Sequence, residues 1–257
     1  MDVELTAIRA IGRMLPPIRG ATALINRVLK PWYLRKARPT VTARALGFEF
    51  LLDPAQAVDG GLLFYPQLFN RRELQWLRSH LRRDDMFVDG GAYIGAFSLV
   101  ASTICREVIA IEANPLIFPR LVANIQTNNR AVTAIQAGLS DKYETLTLHV
   151  QDTGNLGGSS FVTAHGGRTV EVACQPLHEL APGADFLKLD LELMEYRVLS
   201  AYFPHHKPRV IILEAGAGDP GGSISVCKWA IVWKTARRKT PSFYCREVRR
   251  TGQRSRL

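Results

Sequence analysis

The chain has 257 residues, 47% hydrophobic and 22% charged, the composition of a soluble globular protein long enough for one full α/β domain and a short extension. Its net charge of +10 would suggest a nucleic-acid binder if it were evenly spread, but residues 215–257 hold ten Lys/Arg against two acids and residues 1–38 eight against two, which leaves 39–214 at −4. Four scattered cysteines (Cys105, Cys174, Cys227 and Cys245) form no C-x-x-C pair and, with no secretory leader, point to a reducing, cytoplasmic setting rather than a disulfide framework or zinc site.

Residues 1–38 place Ile8, Ile11 and Leu15, then Leu24, Ile25, Val28 and Leu29, among arginines, and Pro16-Pro17 divides them into two short amphipathic helices. A basic amphipathic start of this kind can rest on a membrane surface, although packing on its own domain is the commoner use. Residues 41–52 read as two short strands about Leu46-Gly47, and Asp59-Gly60-Gly61 reads as a turn. Residues 71–83 read as a helix with Leu74, Leu77 and Leu81 on one face.

The next stretch organises the chain. Met86, Phe87 and Val88 form an apolar run ending in Asp89, a glycine turn through Gly91 and Gly95 follows, and an apolar helix continues from Ala96. That is the first half of a nucleotide-binding βαβ unit. The run is too interrupted, by Asp89 and three glycines, to be a transmembrane segment. Dinucleotide sites favour G-x-G-x-x-G with pyrophosphate on the helix N-terminus. Here an acid stands at the strand end, where it would repel a phosphate but could face a cation, so the residues favour S-adenosylmethionine and oppose a nicotinamide dehydrogenase. Residues 108–112 form the next buried strand and end in Glu112, 23 positions after Asp89, where a carboxylate can hold a ribose diol. Either acid alone could be a solvated strand end; with the glycines at this spacing they read together as a cofactor site.

Asn114-Pro115 then breaks the chain, 116–129 reads as a helix and 132–137 as a third strand closed by Gly138-Leu139-Ser140-Asp141. Asp141 could reach an adenine amino group, though Ser-Asp is also an ordinary turn. Alternating strands at 145–150 and 169–173, joined through the Gly/Ser loop 154–160, read as an antiparallel insertion over the cofactor edge. Core strands at 186–190 and 209–214 end in Asp190 and Glu214, and 191–195 read as the start of a helix. Ligands of open α/β sheets lie beyond the carboxyl ends of the strands, so Asp89, Glu112, Asp190 and Glu214 are expected on one rim.

In this order, Phe87-Val88-Asp89-Gly90-Gly91-Ala92-Tyr93-Ile94-Gly95, Ile111-Glu112-Ala113-Asn114-Pro115, Leu139-Ser140-Asp141, Gly157-Gly158-Ser159-Ser160 and Lys188-Leu189-Asp190-Leu191-Glu192 resemble the FkbM family of S-adenosylmethionine-dependent methyltransferases. The resemblance runs from about Glu73 to Glu214. It implies an α/β, Rossmann-like class I methyltransferase fold, with a mostly parallel sheet, helices on both faces and the antiparallel insertion. It also implies S-adenosyl-L-methionine as cofactor and O-methylation of a hydroxyl on a sugar or other small metabolite. By position, Asp89, Gly91, Tyr93 and Gly95 would form the methionine end of the cofactor site. Glu112 would bind the ribose and Asp141 the adenine edge, with Asp190 and Glu192 near the transferred methyl. Either of the last two could take the acceptor's proton, with His149 and His165 as poorer candidates. Asp190, Glu192 and Glu214 could also hold magnesium, but a metal is the weaker expectation.

The expected organisation is thus an N-terminal helical and short-strand extension (1–70), a methyltransferase domain (71–222) and a basic C-terminal tail (223–257). Three departures stand out: Leu193 where the family usually has glycine, Tyr93 where it often has asparagine, and a tail that does not fit the family's final helix and antiparallel strand pair. The apolar segment 224–233 could still supply one strand. Leu193 and the tail leave room for a relative that binds cofactor but is catalytically impaired. The tail's cations leave a less favoured nucleic-acid-binding reading.

Overall fold

Two alternating rows of large apolar residues set the architecture in the computed structural model, which describes residues 3–18, 20–151, 154–164, 167–215, 227–232 and 245–247. The chain opens with α1 (Val3–Arg13), a π-helical turn (Ile25–Leu29) running into α2 (Lys30–Tyr33), the hairpin β1 (Val41–Ala45) and β2 (Phe48–Leu52), then α3 (Ala57–Phe64) and α4 (Arg71–His80). The βαβ unit follows as β3 (Met86–Gly90), α5 (Ala96–Ala101), β4 (Glu107–Glu112), α6 (Phe118–Thr127) and β5 (Thr133–Gln136). After them come β6 (Gly138–Ser140), β7 (Glu144–His149), β8 (Thr169–Pro176), α7 (Leu177–Leu180), β9 (Phe186–Leu189), α8 (Glu195–Tyr202) and β10 (Val210–Ala215). Last come β11 (Cys227–Val232) and β12 (Cys245–Glu247).

The central sheet has the order β12-β11-β10-β9-β3-β4-β5. Its five strands from β10 to β5 are parallel, and β11 and β12 each add antiparallel to their predecessor. Because side chains alternate across a pleated strand, each register row faces one side. The row Val108, Phe87, Phe186, Val210 packs against Leu74 and Leu77 of α4 and Val100 of α5. The next row, Ile109, Val88, Leu187, Ile211, packs against Leu177 of α7 and Val198 and Tyr202 of α8. Both faces are covered, as near-continuous apolar parallel strands require, and the expected Rossmann-like class I methyltransferase fold is what the chain adopts.

The amphipathic N-terminal segment packs on its own domain. Leu5, Ile8, Ile25 and Tyr33 share a core with Phe50, Leu52 and Phe64, and also with Ala92, Ile94, Leu99 and Leu121 beside the glycine turn. The second sheet, β6-β8-β7, is the insertion; β7 and β8 pair antiparallel as expected, but β6 joins β8 in parallel. Within the 224–233 apolar segment, β11 extends the main sheet.

Three local expectations differ from the structure. Asp59-Gly60-Gly61 is not a turn but lies inside α3. Leu62, Leu63 and Phe64 of this helix are buried in the core shared with Leu5, Ile8 and Phe50, and that packing overrides the local turn propensity of the two glycines. Leu81 sits one residue beyond α4 in extended backbone, and the helix after Asp190 begins only at Glu195. His165 and the basic run Arg237-Arg238-Lys239 lie outside the described residues. Among the described residues no helix is long and apolar enough to cross a membrane.

Candidate active site

Parallel register explains the first feature of the site. Asp89 on β3 is paired directly with Lys188 on β9, on the face covered by α5. Both are buried, and Lys188 Nζ lies 3.0 Å from Asp89 Oδ1, 3.4 Å from the Gly91 carbonyl and 3.8 Å from Asp190 Oδ2. Ser98 of α5 donates to the other Asp89 oxygen at 2.6 Å, and the Phe97 ring lies 5.2 Å from the ammonium. A charge is retained in such a strand only with a partner this close. Asp89 is therefore a buried counter-ion beneath the site, while Lys188 lines the cavity above it.

Beyond β3 the chain turns on Gly91 at φ 73°, Tyr93 at φ 53° and Gly95 at φ 87°. A Cβ at Gly91 would stand 2.0 Å from the Asp190 carbonyl oxygen, so only glycine lets β3 and β9 end this close together. The Gly91 and Ala92 amides both donate to the Ile111 carbonyl, which fixes the turn beside the end of β4. There the Glu112 carboxylate accepts the Tyr93 amide on one oxygen and the Asn114 amide on the other, each at 2.8 Å. Burial outweighs both hydrogen bonds and pushes this carboxyl up to about 7. Tyr93 departs from the family's asparagine with a purpose visible in the structure. Its hydroxyl donates to Asp59 Oδ1 at 2.9 Å, and burial, then the Asp59 charge, hold that hydroxyl protonated far above the ordinary tyrosine range. Asp59 is fully buried; it also accepts the Asp53 amide and pairs with Arg120 of α6. Burial alone would lower the Arg120 guanidinium, but the Asp59 carboxylate beside it raises it.

A cavity of about 330 Å³ opens over these strand ends. Gly91, Tyr93, Glu112, Lys188, Asp190 and Glu192 all line it, together with the short helical turn Leu156–Gly158 of the insertion. That turn is tethered to the N-terminal segment: Leu156 N–H donates to the Gln56 side chain at 2.9 Å, and Lys30 Nζ donates to the Gln56 carbonyl at 3.0 Å. Burial, followed by repulsion from Asp190 and Glu195, raises the Glu192 carboxyl above its ordinary value. Glu192 and Leu193 both adopt positive φ, 49° and 84°, in the turn that replaces the expected helix start. Leucine at φ 84° costs roughly 1–2 kcal/mol that glycine would not, which accounts physically for the family's preference at this position.

Among the sequence candidates, the structure brings Gly91, Tyr93, Glu112, Asp190 and Glu192 to the cavity wall. Gly95 caps α5 just behind it, where a Cβ would meet Leu121 at 2.8 Å. Asp141 is not on that wall; it pairs with Arg197 at 2.7 Å on an exposed turn, and although burial raises its carboxyl, the hydrogen bonds from Ser140 and Arg197 and the Arg197 charge together hold it below the usual range. His149 is also off the wall, tied by its backbone to Ser160, and the Glu214 side chain lies outside the described residues. Sequence reasoning missed Lys188 and Asp59. The first carried a signal, a lone lysine within an apolar buried strand; the second carried none, because its partners are 34 and 61 residues away.

The donors and acceptors lining this wall suit S-adenosylmethionine. Asp190, Glu192 and Glu112 share the wall with one lysine, itself paired with Asp89, so the wall lacks the excess of cations that a pyrophosphate would need.

No curated protein matches the sequence. Among solved structures, the precorrin-6y C5,15-methyltransferase of Geobacter metallireducens is similar at 19% identity and TM-score 0.38, over 59% of this chain and 63% of that one. The chain thus spans less than two thirds of that relative. An FkbM methyltransferase of Methylobacillus flagellatus is similar at 15% identity and TM-score 0.38, over 82% of this chain and 48% of that one. A Pyrococcus abyssi tRNA (uracil-54, C5)-methyltransferase in complex with S-adenosyl-L-homocysteine is similar at 13% identity and TM-score 0.43, over 69% and 35%. The family profile described as the methyltransferase FkbM domain matches residues 89–228, more than half the chain. With the ordered motifs, the parallel sheet and the strand-end cavity, that match identifies the chain as a member of the FkbM family of S-adenosylmethionine-dependent methyltransferases.

Proposed function

We propose that this protein transfers the methyl group of S-adenosylmethionine to a hydroxyl of a small metabolite or sugar. The observation that carries the reading is one cavity shared by the Glu112 carboxylate, suited to a ribose, and by the Asp190 and Glu192 carboxylates, suited to a reacting hydroxyl. The cofactor supplies a methyl group made electrophilic by its sulfonium. The residues around it bind and orient: Gly91 and Tyr93 shape the methionine end, and Glu112 holds the sugar. Lys188, fixed by Asp89, lines the same cavity. Positioning in line with the methyl carbon supplies most of the acceleration. Asp190 takes the acceptor's proton as its oxygen attacks, so the new C–O bond forms as the C–S bond breaks. Glu192, with its raised carboxyl, stands as the second candidate for that proton. Asp141 keeps its proposed contact with the adenine edge only if its pairing with Arg197 opens.

The strained turn at Leu193 favours a second reading, a protein that binds the cofactor but turns over slowly. Calorimetry with S-adenosylhomocysteine, paired with a labelled-methyl transfer assay against hydroxyl acceptors, separates the two. The leading reading expects binding that Glu112→Ala weakens at least about tenfold, and transfer that Asp190→Asn abolishes. Binding without transfer to any hydroxyl supports the second reading, and absence of binding overturns both.

A further inference from the structure

The segment 24–36 carries more apolar surface than its core uses. Ile25 and Tyr33 are fully buried, and they lie on one stripe with Leu29 at spacings of four. One position earlier, at the same spacing, Leu24, Val28 and Trp32 form a second stripe that is 52%, 54% and 44% exposed. A helix needs only one apolar stripe to dock on its own domain. The second is exposed, with no core residue packed on it among the described residues, and Val28, Pro31 and Trp32 share a shallow surface groove with Arg27 and Arg35.

Charge identifies the partner. Arg27 and Arg35 line the same groove as Val28 and Trp32, and Lys36 follows; all three are exposed and none makes an ion pair among the described residues. No Asp or Glu occurs between Gly20 and Phe48. An exposed tryptophan, aliphatic side chains and cations that can lift their heads from an apolar bed match the interfacial zone of an anionic bilayer. We propose that this face docks the protein on the surface of membranes rich in anionic phospholipid, with Leu24, Val28 and Trp32 entering the headgroup–acyl boundary and Arg27, Arg35 and Lys36 meeting lipid phosphates. The proposal does not depend on the methyl acceptor.

Flotation of the full chain with vesicles tests it, using phosphatidylcholine alone and phosphatidylcholine mixed with phosphatidylglycerol. The protein should float with the mixed vesicles and not with the neutral ones. Arg27→Glu/Arg35→Glu/Lys36→Glu should lower that partition about a hundredfold, and Val28→Ser/Trp32→Ser at least about tenfold. Both variants keep the basic C-terminal residues, so flotation that survives both belongs to those residues and overturns the proposal. Equal flotation with neutral vesicles overturns it as well. So does a wild-type dimer that ignores vesicles and is lost in the Val28/Trp32 variant, since the face would then bind a second copy. Circular dichroism verifies folding. Should either combination misfold, Val28→Ser alone is decisive: weakened flotation supports the proposal and unchanged flotation refutes it.

Discussion

Glu112 and Leu193 show opposite uses of an unfavourable state. The buried Glu112 carboxyl, pushed up to about 7, is more easily protonated in the folded chain than in the unfolded one, where it titrates near 4.5. Its contribution to stability is therefore full below about pH 4.5 and is lost as pH rises to about 7; the difference amounts to about 3 kcal/mol. Denaturation of wild type and Glu112→Gln across this range should show wild type losing stability relative to the variant as pH rises. Cofactor affinity should run the other way, strengthening through pH 7 because ribose hydroxyls donate to the charged form, and calorimetry of the Gln variant should be flat. Leu193, at φ 84° and 41% exposed, gains little from packing; the hydrogen bond from its backbone to Glu195 would be kept by glycine. Leu193→Gly should raise stability by about 1 kcal/mol in chemical denaturation, and under the slow-enzyme reading it should also raise turnover. Glu112 was legible in the sequence because a strand end and a spacing single it out. The burial of Asp89 was not, since only the register with β9 sets Lys188 against it.

At the scale of elements, Asp59 joins three pieces that are distant in sequence. It lies on α3, accepts the Tyr93 hydroxyl from the glycine turn, and pairs with Arg120 of α6. Removing one member of a buried pair leaves the other charged and without its counter-charge, typically at about 3–5 kcal/mol. Asp59→Ala should therefore lower unfolding free energy by about that amount, and it should weaken S-adenosylhomocysteine binding through Tyr93 although Asp59 itself is not on the cavity wall. Unchanged binding would mean that the turn holds its shape without this anchor. The helix carrying Asp59 was misread as a turn because Asp-Gly-Gly has strong local turn character. What keeps it helical is non-local, the burial of Leu62, Leu63 and Phe64 against the N-terminal core.

For the whole molecule, the βαβ run was readable because parallel strands buried on both faces are near-continuous apolar segments, with β3 and β4 ending in Gly90 and Glu112. The insertion was readable as alternating strands but not as a sheet that takes in β6, because three residues, Gly138–Ser140, carry no periodicity of their own. Nor did the sequence reveal that its N-terminal extension shares one core with the glycine turn, since an amphipathic helix announces that it packs and not where. The tether from Lys30 through Gln56 to Leu156 connects α2 to the cavity wall. Because both hydrogen bonds meet at Gln56, a ligand that orders the Leu156–Gly158 turn is expected to slow backbone amide exchange in the Lys30–Tyr33 helix as well, and Gln56→Ala is expected to uncouple the two.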